Sequence, residues 1–378
     1  MLTRIELSHF KCFSELSLPL SPLTLLTGKN ASGKSSVIQS LVLLSQTMCE
    51  QEWANHLLLN GESISLGTVA DVVDQLSGRF KIEIGLHFTD RKIRWFFSAQ
   101  RLQMSMDLDA ISVDGGPPTA STLVRRLVSP THHAGFVDYT EKIRDLTYIT
   151  AERIGPREVY ALRDAHILKV GTKGELAASV LFHGADQLVS ESLVLPESLP
   201  TLYHQVQARM QTFFPGAAFD LQRVANTNSL LLGLRSSDAT EFFRPINVGF
   251  GLTQVFPIVV AALAFPPGSI LAVENPEVHL HPAGQAQMGV FLALVANSGV
   301  QVIVETHSDH LLSGVRRAVK SQIISTDQVA INYFRARDEA PDQVASLMID
   351  RNGNIDSWPD GFFDQFDKDA SFFAGWGD

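Results

Sequence analysis

The run Gly28-Lys29-Asn30-Ala31-Ser32-Gly33-Lys34-Ser35 constrains the fold of this chain more than any other feature. It fits G-x-x-x-x-G-K-[ST], a loop whose backbone N–H groups turn inward around phosphate. Such a loop needs an apolar strand entering it and a helix N-terminus leaving it, because the helix dipole and its free N–H groups complete the anion site. Both flanks are present: residues 23–26 are apolar, and residues 34–46 place Val37, Ile38, Leu41, Val42 and Leu44 broadly on one helical side. Lys34 is expected to reach the β- and γ-phosphates, and the Ser35 hydroxyl to ligate magnesium. The candidate nucleotide-binding residues are therefore Gly28, Lys29, Asn30, Ala31, Ser32, Gly33, Lys34, Ser35 and Ser36, with ATP and Mg2+ as the expected ligands.

A phosphate loop says where an anion sits, not what is done with it. Residues 269–274 (SILAVE) read as an apolar strand ending in Glu274. In phosphate-loop ATPases a carboxylate so placed holds magnesium, usually through its water shell. The plain alternative is a solvated strand end, but the run Asn275-Pro276-Glu277-Val278-His279-Leu280-His281-Pro282 is too polar for a simple connection. A second apolar run, 300–304, ends in Glu305-Thr306-His307-Ser308. Two adjacent strands would bring Glu274 and His307 to one end of the sheet, where ligands sit in open α/β folds. There His307 is expected to hydrogen-bond the γ-phosphate or the attacking water; the plain alternative is a histidine beside a helix capped by Ser308. Residues 245–254 (PINVGFGLTQ) open a helix that is apolar on nearly every face. Gly249, Gly251 and Thr253 at its start make a candidate anion nest.

Around these motifs the patterning is α/β. Residues 3–9 alternate as a strand, and 80–108 alternate with period two, as an antiparallel meander does. After Pro245, apolar runs at 270–273, 300–304, 330–334 and 345–349 alternate with helical stretches at 254–265, 283–296 and 309–320. That alternation implies a parallel sheet covered by helices. Breaks at Gly115-Gly116-Pro117-Pro118 and Phe214-Pro215-Gly216 suggest three regions. These are a lobe at 1–114 with the phosphate loop and the meander, an inserted and mostly helical subdomain at 115–245, and a lobe at 246–378. The net charge of −10 argues against a whole-surface grip on nucleic acid, though not against a local basic groove. Cys12 and Cys49 form no framework, so a reduced, cytoplasmic setting is expected. The apolar stretch 255–265 is short and contains Pro257, so it reads as a buried helix and no membrane partner is expected.

Taken together, these pieces resemble the ABC-type ATPases of the RecF, SMC and OLD group, in the AAA family. IELSHFKCF is similar to that group's opening strand, ENPEVHLHP to its extended Walker B motif and ETHSDHLL to its histidine switch. NVGFGLTQVFPI is similar to its degenerate signature, and the tail IDRNGNIDSWPDGFFDQFDKD to that of a short bacterial subfamily. The resemblance covers about 1–75 and 245–370, and little of 115–245 beyond AERIGPR. It implies a phosphate-loop NTPase of ABC head type, with a mixed sheet flanked by helices and an antiparallel β subdomain. It also implies an ATP-dependent homodimer or higher oligomer, in which Gly249, Gly251 and Thr253 of one subunit contact ATP bound at the partner's phosphate loop.

One departure from the pattern matters. Where the group often has Asp then Glu, this chain has Glu274 then Asn275, and an amide cannot accept a proton near neutral pH. Slow hydrolysis is expected, with Glu274, Glu277 and His307 as the catalytic candidates, Glu277 standing in as base, and Ser35 and Glu274 as the metal candidates. Relatives of this build act in DNA repair or antiphage defence. The expected function is therefore an ATPase that controls a separately encoded effector in antiphage defence, with DNA as a further candidate ligand. The alternatives are a RecF-like DNA-binding repair ATPase and a scaffold that binds ATP without turning it over. Three smaller readings stay open. His279, His281, His307 and Glu277 could be drawn as a zinc site. Arg153 and Arg157 could reach phosphate or form an interior link. The aromatic tail (Trp358, Phe362, Phe363, Phe366, Phe372, Phe373, Trp376) could be a strap or a docking surface.

Overall fold

The computed structural model describes residues 1–53, 55–120, 124–164, 169–337, 339 and 342–375. The first lobe opens with a hairpin, β1 (Leu2–Phe10) and β2 (Phe13–Pro19). Strand β3 (Leu23–Gly28) then runs into the glycine-rich turn and α1 (Lys34–Glu50). Strand β4 (His56–Leu58), the single turn α2 (Val69–Val72) and the meander β5 (Lys81–Phe88), β6 (Lys92–Ser98) and β7 (Ser105–Val113) complete it. Next come α3 (Pro130–Arg144), β8 (Thr147–Ile149), β9 (Tyr160–Ala161), α4 (Ala177–Gly184), α5 (Leu202–Phe213), β10 (Ala218–Arg223) and β11 (Ser229–Arg235). The chain closes with α6 (Phe250–Ala264), β12 (Ile270–Glu274), α7 (Pro282–Asn297), β13 (Gln301–Glu305), α8 (Asp309–Lys320), β14 (Val329–Phe334), β15 (Val344–Leu347) and α9 (Gln365–Phe373).

The central sheet has the order β15-β14-β3-β13-β12-β8, parallel except for the edge strand β15. A second sheet, β2-β1-β5-β6-β7-β4, is antiparallel throughout. Side chains alternate across a strand, so the central sheet feeds two cores. Ile270, Ala272 and Ile303 pack with α1 and the antiparallel sheet, whereas Leu271, Val273, Val302 and Val304 pack with α6, α7 and α8. All five residues of β12 and all five of β13 are buried, carboxylates included. Glu274 lies opposite Glu305, which lies opposite Leu26, so three parallel strands end level beside the phosphate loop.

The stretch 115–245, expected as a mostly helical insert, carries α3, α4 and α5 and, beside them, short strands. Thr147–Ile149 is an edge strand of the central sheet, with Tyr148 paired to Ala272, and β9, β10 and β11 form a third, antiparallel sheet. The β10–β11 hairpin turns at Asn226, whose φ of 60° is one that Asn tolerates. The three-residue β8 is too short to show a period, and only its neighbour β12 identifies it as a strand. The meander and the strand-helix alternation after Pro245 stand where the sequence pattern puts them. Among the described residues no helix is long and apolar enough to cross a membrane.

Candidate functional site

The phosphate loop is built on backbone that only glycine adopts freely. Gly28 has φ 128°, and a Cβ there would lie 2.1 Å from the Phe334 carbonyl oxygen; at Gly33, φ 105°, it would lie 2.4 Å from the Phe13 ring. Ser32 Oγ donates to the Lys29 carbonyl at 2.7 Å and closes the turn. Lys34 is buried, and its Nζ donates to the Gly28 and Lys29 carbonyls at 3.0 and 2.5 Å. Burial lowers its pKa, and the charge of Glu305 opposes that shift.

The two carboxylates at the strand ends meet different partners. Glu274 faces away from the loop. Its Oε1 accepts from the Tyr148 hydroxyl at 2.8 Å, and its Oε2 accepts from Thr150 Oγ1 and the Ala151 N–H, each at 3.2 Å. Ser35 Oγ instead donates to Glu305 Oε1 at 3.0 Å, and Glu305 Oε2 is buried without a partner. Burial, helped by the charges of Glu274 and Glu277 and opposed by Ser35 and Lys34, pushes the Glu305 carboxyl up to about 7. The carboxylate expected beside Ser35 was Glu274; the structure puts Glu305 there. A signal is present in the sequence, since Glu305 closes a mostly apolar run as Glu274 does.

Glu277 and His307 are brought together. The His307 N–H donates to Glu277 Oε1 at 3.0 Å, Asn275 Nδ2 donates to the same oxygen at 3.3 Å, and Glu277 Oε2 is buried and unpaired. Asn275 takes φ 43° in the tight turn that swings Glu277 back toward β13. Burial and then the nearby Lys34 charge hold the His307 imidazole below its usual pKa, with Glu277 opposing them. Among the described residues no group of three or more His, Cys, Asp or Glu is placed to hold a metal unaided, and the His279 ring packs on Phe250 at 5.5 Å between centroids.

The candidate signature residues sit elsewhere. Gly249 caps α6 with φ −56°, and neither it nor Gly251 takes a positive φ, so the expected nest reduces to the helix N-terminus. Gly251 packs against Phe214 and the His279 carbonyl, and Thr253 Oγ1 donates to the Phe250 carbonyl at 2.9 Å. Arg153, buried, is an interior link. Its guanidinium donates to the Glu274 and Asn275 carbonyls at 2.8 and 2.7 Å and to Gln254 of α6 at 3.1 Å. Desolvation lowers its pKa to about 10, against the charges of Glu277 and Glu274.

The C-terminal segment braces the loop from outside. The Lys29 N–H donates to the Phe334 carbonyl, Lys29 Nζ pairs with Glu339 at 2.5 Å, and Gln343 Nε2 donates to the Ser32 carbonyl at 3.1 Å. Phe362 is buried against Tyr333 and Trp358, as a strap would be, while Phe372 and Phe373 are exposed. Trp376 and the Phe366 side chain lie outside the described residues.

Comparison with known proteins bears on the family and the fold. Residues 123–313, just over half of the chain, match the family described as "AAA domain, putative AbiEii toxin, Type IV TA system". The chain belongs to the AAA ATPase family, in its ABC branch of OLD, RecF and SMC relatives. Residues 1–147 match "AAA ATPase domain", and 324–371 match "Protein of unknown function (DUF3696)". This AAA domain is 23% identical over 366 residues to an OLD nuclease of Thermus scotoductus, covering 90% of the chain and 65% of that nuclease. It is 27% identical over 95 residues to the DNA replication and repair protein RecF of Limosilactobacillus fermentum, covering 25% of each. The chain thus spans less than two thirds of the length of the relatives it matches. Its fold is that of SMC heads. An SMC head bound to the C-winged helix domain of ScpA superposes with a TM-score of 0.59 at 13% identity, covering 93% of this chain and 98% of that one. A Pyrococcus furiosus Smc head bound to the C-terminal domain of ScpA gives 0.55 at 13% identity, covering 92% and 96%.

Proposed function

We propose that this AAA domain binds and slowly hydrolyses ATP at the Gly28–Ser36 loop, and that ATP-bound copies pair as a homodimer or higher oligomer. The observation that carries the reading is the convergence of Lys34, Ser35, Glu277, Glu305 and His307 on one end of the sheet. The residues fit magnesium: a hydroxyl at Ser35 and the buried, unpartnered carboxylate oxygen of Glu305 beside it suit an ion that takes few protein ligands. When bound, that ion offsets charge on the phosphate oxygens.

The residues then divide the work. Lys34 exchanges two loop carbonyls for phosphate oxygens. Glu277, held at Oε1 by the His307 N–H, keeps Oε2 for the proton of the attacking water. Water adds to the γ-phosphorus, and the bridging P–O bond breaks with its electrons on ADP. Asn275 takes no part as a base, so the step is slow. His307, kept neutral near neutral pH, orients the water or donates to a phosphate oxygen.

Pairing is supported by the exposed Phe242, Phe243, Ile246 and Phe250 around the N-terminus of α6, an apolar patch beside Gly249, Gly251 and Thr253. The ATP-bound pair controls a separately encoded effector, in antiphage defence. Support for this comes from the relationship to an OLD nuclease. DNA is a further candidate ligand, from the RecF relatives. A cytoplasmic setting follows from both readings. Asn275 favours a second reading, an ATP-dependent scaffold without turnover. ATP turnover and particle mass with and without ATP separate the two. The first reading expects turnover, a doubled mass with ATP, and loss of both in Lys34→Ala. Mass doubling without turnover supports the scaffold, and neither effect contradicts both.

A further inference from the structure

We propose that Glu305, and not Glu274, is the carboxylate that faces magnesium beside Ser35, while Glu274 fastens the edge strand β8 to the sheet. The inference rests on the reading of the loop as a nucleotide site, and it assigns within that site a residue the motif pattern does not. The two acids end adjacent strands in direct register and face the same side of the sheet, and Glu305 is on the strand that borders the phosphate-loop strand β3. Their partners decide. Glu274 has both oxygens engaged by three donors, from Tyr148, Thr150 and Ala151. Turning it toward Ser35 would strand the buried Tyr148 hydroxyl, which burial and the Glu274 charge keep protonated and therefore a donor. A buried donor without an acceptor is destabilising.

Glu305 is in the opposite condition. It is 5% exposed, one of its oxygens is held by the Ser35 hydroxyl, and the other has no partner. Lys34, the nearest fixed cation, spends its Nζ on the Gly28 and Lys29 carbonyls. A buried carboxylate oxygen left bare beside a hydroxyl of this loop calls for a cation or a water bound to one.

The test reads metal binding and not catalysis. Affinity for a fluorescent ADP is measured without divalent ion and then across a Mg2+ titration, with Mn2+ replacing Mg2+ so that free ion is counted by electron paramagnetic resonance. The proteins are wild type, Glu305→Gln, Glu305→Asp, Glu274→Gln and Lys34→Ala. Glu305→Gln is expected to weaken the metal response about tenfold or more while metal-free ADP affinity holds. Glu305→Asp is expected to fall between that variant and wild type. Glu274→Gln is expected to keep the wild-type metal response and to melt at a lower temperature. Where the Gln variant does not fold, the Asp variant decides, and a metal response equal to wild type in it overturns the proposal. So does the reverse pattern, in which Glu274→Gln loses the response and Glu305→Gln retains it. If wild type and Lys34→Ala bind ADP equally weakly, the nucleotide reading itself fails; tight wild-type binding with an unaltered Glu305→Gln response sinks only the assignment of Glu305.

Discussion

The C-terminal end of the central sheet has two flanks of unlike character. On the β8 flank, Glu274, Tyr148, Thr150 and Arg153 satisfy one another, and both Glu274 oxygens and the Glu274 and Asn275 carbonyls have donors. On the β3 flank, Glu305 and Glu277 each leave a buried oxygen bare, and Lys34 folds back on its own loop. The flanks are one strand apart and rich in the same residue types. A saturated network stabilises the fold and has nothing left to offer a ligand, whereas a network with bare acceptors costs stability and is ready for one. The motif alone does not separate the flanks; the partners do.

Substitutions can break this contrast, and the largest effect belongs to the open flank. Glu277→Gln is expected to cut ATP turnover on the order of a hundredfold with little change in melting temperature. A collapsed fold with turnover retained per folded molecule would reverse the roles of the flanks. On the closed flank, Arg153→Leu removes donors from two carbonyls and from Gln254. It is expected to lower unfolding stability by roughly 3 kcal/mol in denaturant titrations, with the ADP affinity of the folded fraction preserved. Tyr148→Phe is milder, because it removes one hydroxyl from Glu274. A loss of about 1–2 kcal/mol is expected, and an unchanged midpoint would mean that Glu274 does not rely on it.

A pH dependence sharpens the contrast further. The Glu305 carboxyl titrates at about 7 in the fold against an ordinary 4.5, so the folded chain holds that proton more tightly than the unfolded chain does. Its ionisation therefore subtracts stability as pH climbs from 4.5 to 7, and the penalty persists above that. Without nucleotide or divalent ion, Glu305→Gln is expected to melt above wild type at alkaline pH, with the gap closing toward pH 4.5. Differential scanning calorimetry across that range checks it, and a gap that widens on acidification contradicts it.

Much of this was legible in the sequence because it is local. The glycine-rich turn, its helix and the period-two meander each declare themselves within about ten residues. Glu305 and Tyr148 do not, since their meaning depends on which strands lie side by side. Nothing local says that β13 sits between β3 and β12, which brings Glu305 within reach of Ser35, or that β8 borders β12, which gives Glu274 to Tyr148. The short strands within 115–245 escape the sequence pattern for the same reason, being strands only by virtue of their partners. Arg153 was visible as a buried-arginine candidate, and only the fold chose the interior link over phosphate.

On this reading the open flank hydrolyses nucleotide. Phosphate release from ATP by wild type and Lys34→Ala, each in Mg2+ with ATP affinity measured in parallel, tests it most directly. Slow release by wild type, with both release and affinity lost in Lys34→Ala, is the predicted result. Equal affinity and equal release in the two proteins would contradict it.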